Sequence, residues 1–477
     1  MKKTVSILLA SFMLIGMLTA CTANAPSDGT ENAASEQMTE DEIMSLAEEA
    51  YTYCFPLVLT EMTKQQITNV EAPMETGYAP INQFGHKTSF PDPAFHEVVR
   101  PNLDTLYSSA FLDVSEEPIV LSLPEMEGRY YLMPMLDAWS EVFASPGTRT
   151  NGGHAEQYLI ASQDWDGEVP EGMTKLEAPT DTVWIIGRTM ANGNDDLPAA
   201  VAAQQGYQLV PLSKWGTEYV PEKNTVDSSL KVGAPKNLVL EMSIDTYFNL
   251  ANELMIANPP HDSDTELLER IAKIGVGPGL EFSSAQYSET IQESLAQMSE
   301  KLTKQWMELD YSEYERVDDN WTYSLLRGNF DNNYLYRAYI ALAAFGTNVP
   351  EDAIYPNSYV DASGDKLHGE NQYRIHFEKE QLPPAQAFWS LTAYDTDGFL
   401  ADNPDKKYAV KSTDDLYYNA DGSLDIYIQN EKPEGEQGKN WLPVNKTEFT
   451  LHMRVYWPTD EALEGNWDIP PLEKVSQ

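Results

Sequence analysis

Two short stretches carry polar and ionisable side chains beside strongly apolar runs. The first is Arg100-Pro101-Asn102-Leu103-Asp104-Thr105-Leu106-Tyr107-Ser108. One reading makes it a turn: Pro101 fixes φ and biases Arg100 towards extended geometry, while Asn102 and Asp104 accept from nearby amides ahead of a strand. The other projects Asp104 and Tyr107 into a cleft as proton-handling groups, with Asn102 and Thr105 against a ligand and Arg129, Asp137 and Arg188 as charge partners. The chain has only ten arginines, and Arg129 and Arg188 border apolar strands, which favours buried or half-buried ion pairs over solvated ones.

The second stretch is Phe388-Trp389-Ser390-Leu391-Thr392-Ala393-Tyr394, followed by Asp395-Thr396-Asp397-Gly398. Its alternation puts Trp389, Leu391 and Ala393 on one face and Ser390, Thr392 and Tyr394 on the other. The residues from Asp395 to Gly398 read as a turn. Trp389 and Tyr394, with Trp441, line a ligand pocket in one reading and fill a core in the other.

Familiar catalytic signatures are missing from the sequence: there is no G-x-S-x-G, no H-E-x-x-H and no P-loop. Gly275-Val276-Gly277-Pro278-Gly279 departs from the dinucleotide fingerprint and follows a helical pattern rather than a strand. The seven histidines show no metal-ligand spacing, and Asp361, Gly364 and Asp365 read as a hairpin turn. No metal and no cofactor is therefore assigned. With 75 acidic against 31 basic residues and a net charge of -44, the surface repels nucleic acid and anionic lipid headgroups.

The N-terminus carries an export signal. Lys2 and Lys3 precede an apolar run at 5–17 that is too short to span a bilayer, and Leu18-Thr19-Ala20-Cys21 forms a lipobox. The expected product is cut before Cys21, diacylated there, and held outside the cytoplasm on the bacterial membrane or envelope by that lipid alone. Residues 21–38 form a flexible tether of small and polar residues. With Cys21 lipidated, Cys54 lacks a disulfide partner and is expected to be buried as a small hydrophobe.

Positioning the polar stretches falls to an α+β, multi-domain chain: a signal peptide at 1–20, the tether, a β-rich domain with an N-terminal helix at 39–237, a helical middle at 238–346 and a second β-rich domain at 347–477. The helix opens after Thr39 with Glu40, Asp41 and Glu42, and Pro56 is expected to end or kink it. Short strands are expected at 106–114, 119–123, 130–135, 158–162 and 183–189, and again at 373–377, 387–394, 424–429 and 449–457. Asp421-Gly422 is expected to close a hairpin between 416–418 and 424–427.

The chain resembles a family of bacterial exported proteins that pairs domain of unknown function 1254 with domain of unknown function 1214. VRPNLDTLYSSAFLDVS (99–115), GRYYLMPMLDAW (128–139), PGTRTNGG (146–153) and IIGRTMANGNDDLPAA (185–200) carry the first half of the resemblance. LPPAQAFWSLTAYDTDGFLADN (382–403), DGSLDIYIQ (421–429), NWLP (440–443) and LHMRVYWP (451–458) carry the second. The resemblance implies two β-sandwich or jelly-roll-like cores with a helical segment between them. It implies no catalytic role for any residue.

Three functions are open. The first is a tethered binding protein for a small molecule, glycan or envelope partner; the second is an extracytoplasmic hydrolase using carboxylate, tyrosine and arginine side chains in an interdomain or strand-mouth cleft; the third is a purely structural role. Self-association into a homo-oligomer is compatible with each. Because the anchor lies outside the packed domains, Cys21→Ser should move the protein from the membrane fraction to the soluble fraction with an unchanged melting temperature. Continued membrane binding of the processed variant would place the anchor elsewhere.

Overall fold

The computed structural model describes residues 38–96 and 98–475; the expected signal peptide, Cys21 and nearly all of the tether lie outside them. From Glu40 onward the chain forms one compact unit with an α+β architecture of four separate sheets and intervening helices. Among the described residues, no helix is long and apolar enough to cross a membrane.

The first helix, Glu40–Thr68, begins with three acids beside the positive end of its dipole. It does not stop at Pro56. Every residue from Tyr53 to Thr60 is buried, so packing on all sides of the helix offsets the backbone hydrogen bond that proline removes. Helices Pro235–Leu240, Ile244–Ala257, Thr265–Ile271, Glu289–Ala296, Met298–Glu308 and Tyr334–Ala344 all pack on it. The Tyr51 ring stacks on Tyr247 at 4.3 Å, and Phe55 meets Trp306 edge-on at 5.2 Å. The helical stripe of Ile291, Leu295, Met298, Leu302 and Trp306 is buried as its spacing implies, although it spans two consecutive helices. Cys54 is a free, buried thiol, and burial pushes its pKa far up, which leaves it inert.

Two sheets build the first β-rich half. One has Thr105–Asp113 and Thr182–Met190 at its centre, antiparallel over nine residue pairs. The other runs Gln208–Pro211, Ile119–Leu123, Glu156–Ser162, Thr174–Ala178. Leu112, Ile185 and Met135 from the first share a single apolar core with Leu121, Ile160 and Leu209 from the second, the arrangement of a sandwich.

The second β-rich half repeats this plan. Its seven-stranded sheet is centred on Ala385–Tyr394 and Thr450–Pro458, and its four-stranded sheet contains Tyr373–Phe377 and Leu424–Gln429. Trp389, Leu391, Met453 and Val455 pack against Ile375, Phe377, Ile426 and Ile428. The hairpin Glu315–Asp318/Trp321–Ser324 arises within the helical stretch and adds to the larger sheet through Asn357–Ser358. The Asp421-Gly422 hairpin is not formed. The turn exists, with the Gly422 amide donating to the Asn419 carbonyl, but the Tyr417 backbone is bonded on both sides by the Asn440 side chain rather than by a strand.

Candidate functional site

Period-two alternation along the two central strands of the second half produces a site. In Thr450–Pro458, Leu451, Met453 and Val455 enter the apolar core, which turns His452, Arg454 and Tyr456 to the opposite face. The register Ser390↔Arg454 and Thr392↔His452 sets Ser390, Thr392 and Tyr394 beside them. This polar face is also buried, because Arg100, Asn102 and Asp104 of the first half lie against it. Tyr107 and Arg188 are register partners on neighbouring strands. The result is a polar layer between the two β-rich halves.

Asn102 organises one end. Its Oδ1 accepts from the amides of Asp104 and Thr105 at 2.7 and 3.1 Å, the turn geometry expected of it, and its Nδ2 donates to the Tyr456 hydroxyl at 2.9 Å. Asp104, 1% exposed, accepts from Ser390 Oγ at 2.5 Å, and its other oxygen lies 3.1 Å from Lys411 Nζ. Arg454 donates to the Arg100 carbonyl and the Tyr394 hydroxyl, both at 2.9 Å, and Tyr394 donates to the Pro101 carbonyl at 2.8 Å. Arg100 is not extended as proline at 101 would favour. It sits at φ 53, a left-handed conformation held by the Arg454 contact and by its own amide, which donates to the Gly398 carbonyl at 2.7 Å.

At the other end, Arg188 donates to Asn348 Oδ1, to the Tyr355 hydroxyl at 3.3 Å and to the Gly346 carbonyl at 3.3 Å. Its guanidinium carbon lies 5.5 Å from the centre of the Tyr107 ring. Tyr107 and Tyr355 are half-buried and bring the layer to solvent. His452 is bonded to Asn357 Oδ1, and burial, reinforced by Arg454, keeps its imidazole neutral with a pKa well below its usual value. Burial likewise raises Tyr456, and the Asp104 charge adds to that.

The structure therefore gathers Asn102, Asp104, Thr105, Tyr107, Arg188 and Tyr394, and places the other candidates elsewhere. Arg129 makes a bidentate pair with Asp196 at 2.6 and 2.8 Å, beside a surface groove of about 470 Å³ that Glu125 and Glu127 also line. Asp137 lies near the helices. Its Oδ1 accepts from the amides of Trp139 and Glu141, and its Oδ2 pairs with His261 Nε2 at 2.6 Å. Neither is a charge partner of Asp104 or Tyr107. Trp389 points into the core, on the face of its strand opposite to Tyr394, and Trp441 is likewise core, its indole bonded to the Gln429 carbonyl at 2.8 Å.

The glycine run at 275–279 is organised by Asn252, which bonds to Gly275, Gly277 and Leu280. Asp361 closes its turn by accepting from the amides of Ser363 and Asp365. Among the described residues, no group of three or more histidine, cysteine or acidic residues is placed to hold a metal ion.

Sequence reasoning missed Arg454, Tyr456, Lys411, His452 and Tyr355. LHMRVYWP carried the signal, since its alternate residues are as polar as the intervening ones are apolar. A second cluster was also missed. Arg337, 1% exposed, is ringed by Tyr53, Trp139 and Tyr334 at 5.3–5.7 Å from their centres, and Glu141 lies 3.4 Å from it. Burial pushes the Glu141 carboxyl up to about 7 against the opposing pull of Arg337. Burial acts to lower His261, but its hydrogen bond and attraction to Asp137 outweigh that and raise it.

Residues 81–211 match the family described as "Protein of unknown function (DUF1254)", and residues 352–460 match "Protein of unknown function (DUF1214)". No curated protein matches the chain. Among solved structures, the VPA0106 protein from Vibrio parahaemolyticus is similar, with a TM-score of 0.68 and 24% identity over 91% of this chain and 100% of that one. A putative uncharacterized protein from Burkholderia cenocepacia aligns over 91% of this chain and 95% of its own at 12% identity, with a TM-score of 0.41. The first likeness is one of fold.

Two predictions follow from the charges. Asp104→Asn leaves the Lys411 ammonium facing a neutral amide inside the layer, so the variant should lose about 3 kcal/mol in urea unfolding; a loss under about 1 kcal/mol would reduce Asp104 to a turn residue. Glu141 and His261 both hold protons more tightly folded than unfolded. Their contribution is therefore complete at low pH and falls as pH rises from about 5 through neutrality. Glu141→Gln should flatten that decline, gaining roughly 1–3 kcal/mol over the parent at pH 8 relative to pH 5. Parallel pH profiles for the two proteins would mean that Glu141 is ionised throughout.

Proposed function

We propose that this chain, which belongs to the family in which a DUF1254 region precedes a DUF1214 region, is an extracytoplasmic lipoprotein, tethered through Cys21, that holds a small molecule in the polar layer between its β-rich halves. The observation that carries this reading is the polar character of a face that both halves bury. A purely architectural contact between two sheets is met as well or better by apolar side chains, because buried charges and hydroxyls lose hydration that their partners only partly replace. The same strands are apolar on their opposite face, so the polar residues are confined to the side where the halves meet.

The layer needs both regions. Asn102, Asp104, Tyr107 and Arg188 come from the first, and Ser390, Arg454 and Tyr456 from the second, which gives a reason for the two to occur in one chain. Binding is favoured over hydrolysis because Asp104 is engaged by Lys411, Ser390 and Tyr456 within the layer, rather than facing its solvent edge at Tyr107 and Tyr355.

Thermal unfolding of the detergent-solubilised full chain against a panel of small metabolites and oligosaccharides tests this reading. A ligand present at a hundred times its Kd should stabilise the protein by about 2.7 kcal/mol. A flat response across every compound class removes the reading.

A further inference from the structure

We infer that the molecule held in this layer is a small organic anion whose carboxylate is received by the Arg188 guanidinium, with Arg454 adding positive charge behind it. The inference rests on the layer being a small-molecule site. Its basis is a charge imbalance. Arg129, Arg149, Arg270, Arg337 and Arg374 each lie within 4.0 Å of a carboxylate. Arg188 and Arg454 do not; Arg100, Arg316 and Arg327 also lack one, but those three are only half-buried, whereas Arg188 and Arg454 are 5% and 3% exposed. The hydrogen-bond acceptors they meet are neutral: Asn348, Gly346, Tyr355 and Tyr107 for Arg188, and Thr392, Arg100 and Tyr394 for Arg454. The carboxylates whose charge reaches them, Asp352 at Arg188 and Asp104 at Arg454, are already engaged by Arg149 and Lys411. A buried guanidinium with no carboxylate bonded to it is incompletely compensated, and an anionic ligand supplies one.

Geometry selects the point of contact. Arg188 Nε is buried and has no hydrogen-bond partner, so one edge of the planar fork remains to be met. A carboxylate fits such an edge with two parallel N–H···O bonds. Tyr107 stands beside that guanidinium at the half-buried rim, where its hydroxyl can donate to the same anion, and the Tyr355 hydroxyl also meets it. These rings suit an organic body rather than a bare inorganic ion.

The probes are acetate and benzoate, inorganic phosphate, and neutral N-acetylglucosamine, each titrated at constant ionic strength against chloride with the full detergent-solubilised chain. The carboxylates should raise the melting temperature saturably, and calorimetry should show Arg188→Gln weakening benzoate by about tenfold or more. Arg188→Lys, which keeps charge but loses the fork, should be nearly as weak. Tyr107→Phe changes only the half-buried rim, so it should fold normally and still bind benzoate several-fold more weakly, which preserves the test if the Arg188 variants fail to fold. Benzoate binding that is equal in all variants overturns the assignment. Stabilisation by the neutral sugar alone overturns it too but leaves the small-molecule reading intact, and phosphate binding as tightly as benzoate rejects the carboxylate. No response to any probe or metabolite ends both.

Discussion

The strands Ala385–Tyr394 and Thr450–Pro458 are buried on both faces, and a sheet buried on both faces must find a partner for every side chain on each. One face solves this with apolar packing against Ile375, Ile426 and Ile428. The other solves it with the first half of the protein: Asp104 for Ser390, Asn102 for Tyr456, and the Arg100 and Pro101 carbonyls for Arg454 and Tyr394. The course of the 98–105 loop follows from that requirement.

The loop shows how tightly the requirement is met. Arg100 adopts a left-handed conformation immediately before a proline, which costs of order 1–3 kcal/mol and persists only where the surroundings over-determine it. Here they do so through its amide, its carbonyl and its guanidinium, bonded to Gly398, Arg454 and Tyr359 in turn. All three partners belong to the second half. Gly398 itself has φ +87, and Val99 lies 3.3 Å from where a Cβ would stand, so the turn at 395–399 and the loop at 98–101 are matched in shape as well as in hydrogen bonding.

Much of this was legible locally. Alternation located the strands at 119–123, 373–377 and 424–429 to the residue and assigned Trp389 and Tyr394 to opposite faces, because period two is a property of a single strand. What it could not supply was the identity of the opposing surface. Arg129 and Arg188 are alike in sequence, both bordering apolar strands, yet one finds Asp196 and the other finds amide and carbonyl oxygens from the segment at 346–348. Asp137 likewise reads like Asp104, but its partner His261 arrives from a helical segment far along the chain. Pro56 does not end its helix for a related reason: a helix tolerates an internal proline when tertiary packing encloses it, and helices after residue 234 supply much of that packing.

That last feature governs the order in which the molecule can be built. Among the described elements the Glu40–Thr68 helix is synthesised first, but its covering helices lie at 235–344. Until they follow, the rings of Tyr51 and Phe55 lack the Tyr247 and Trp306 rings that they meet in the finished core. Closing so long a loop is slow, and exposed apolar surface in the interval invites association with other chains. The helix that anchors the finished core is therefore, during synthesis, a segment in need of a chaperone.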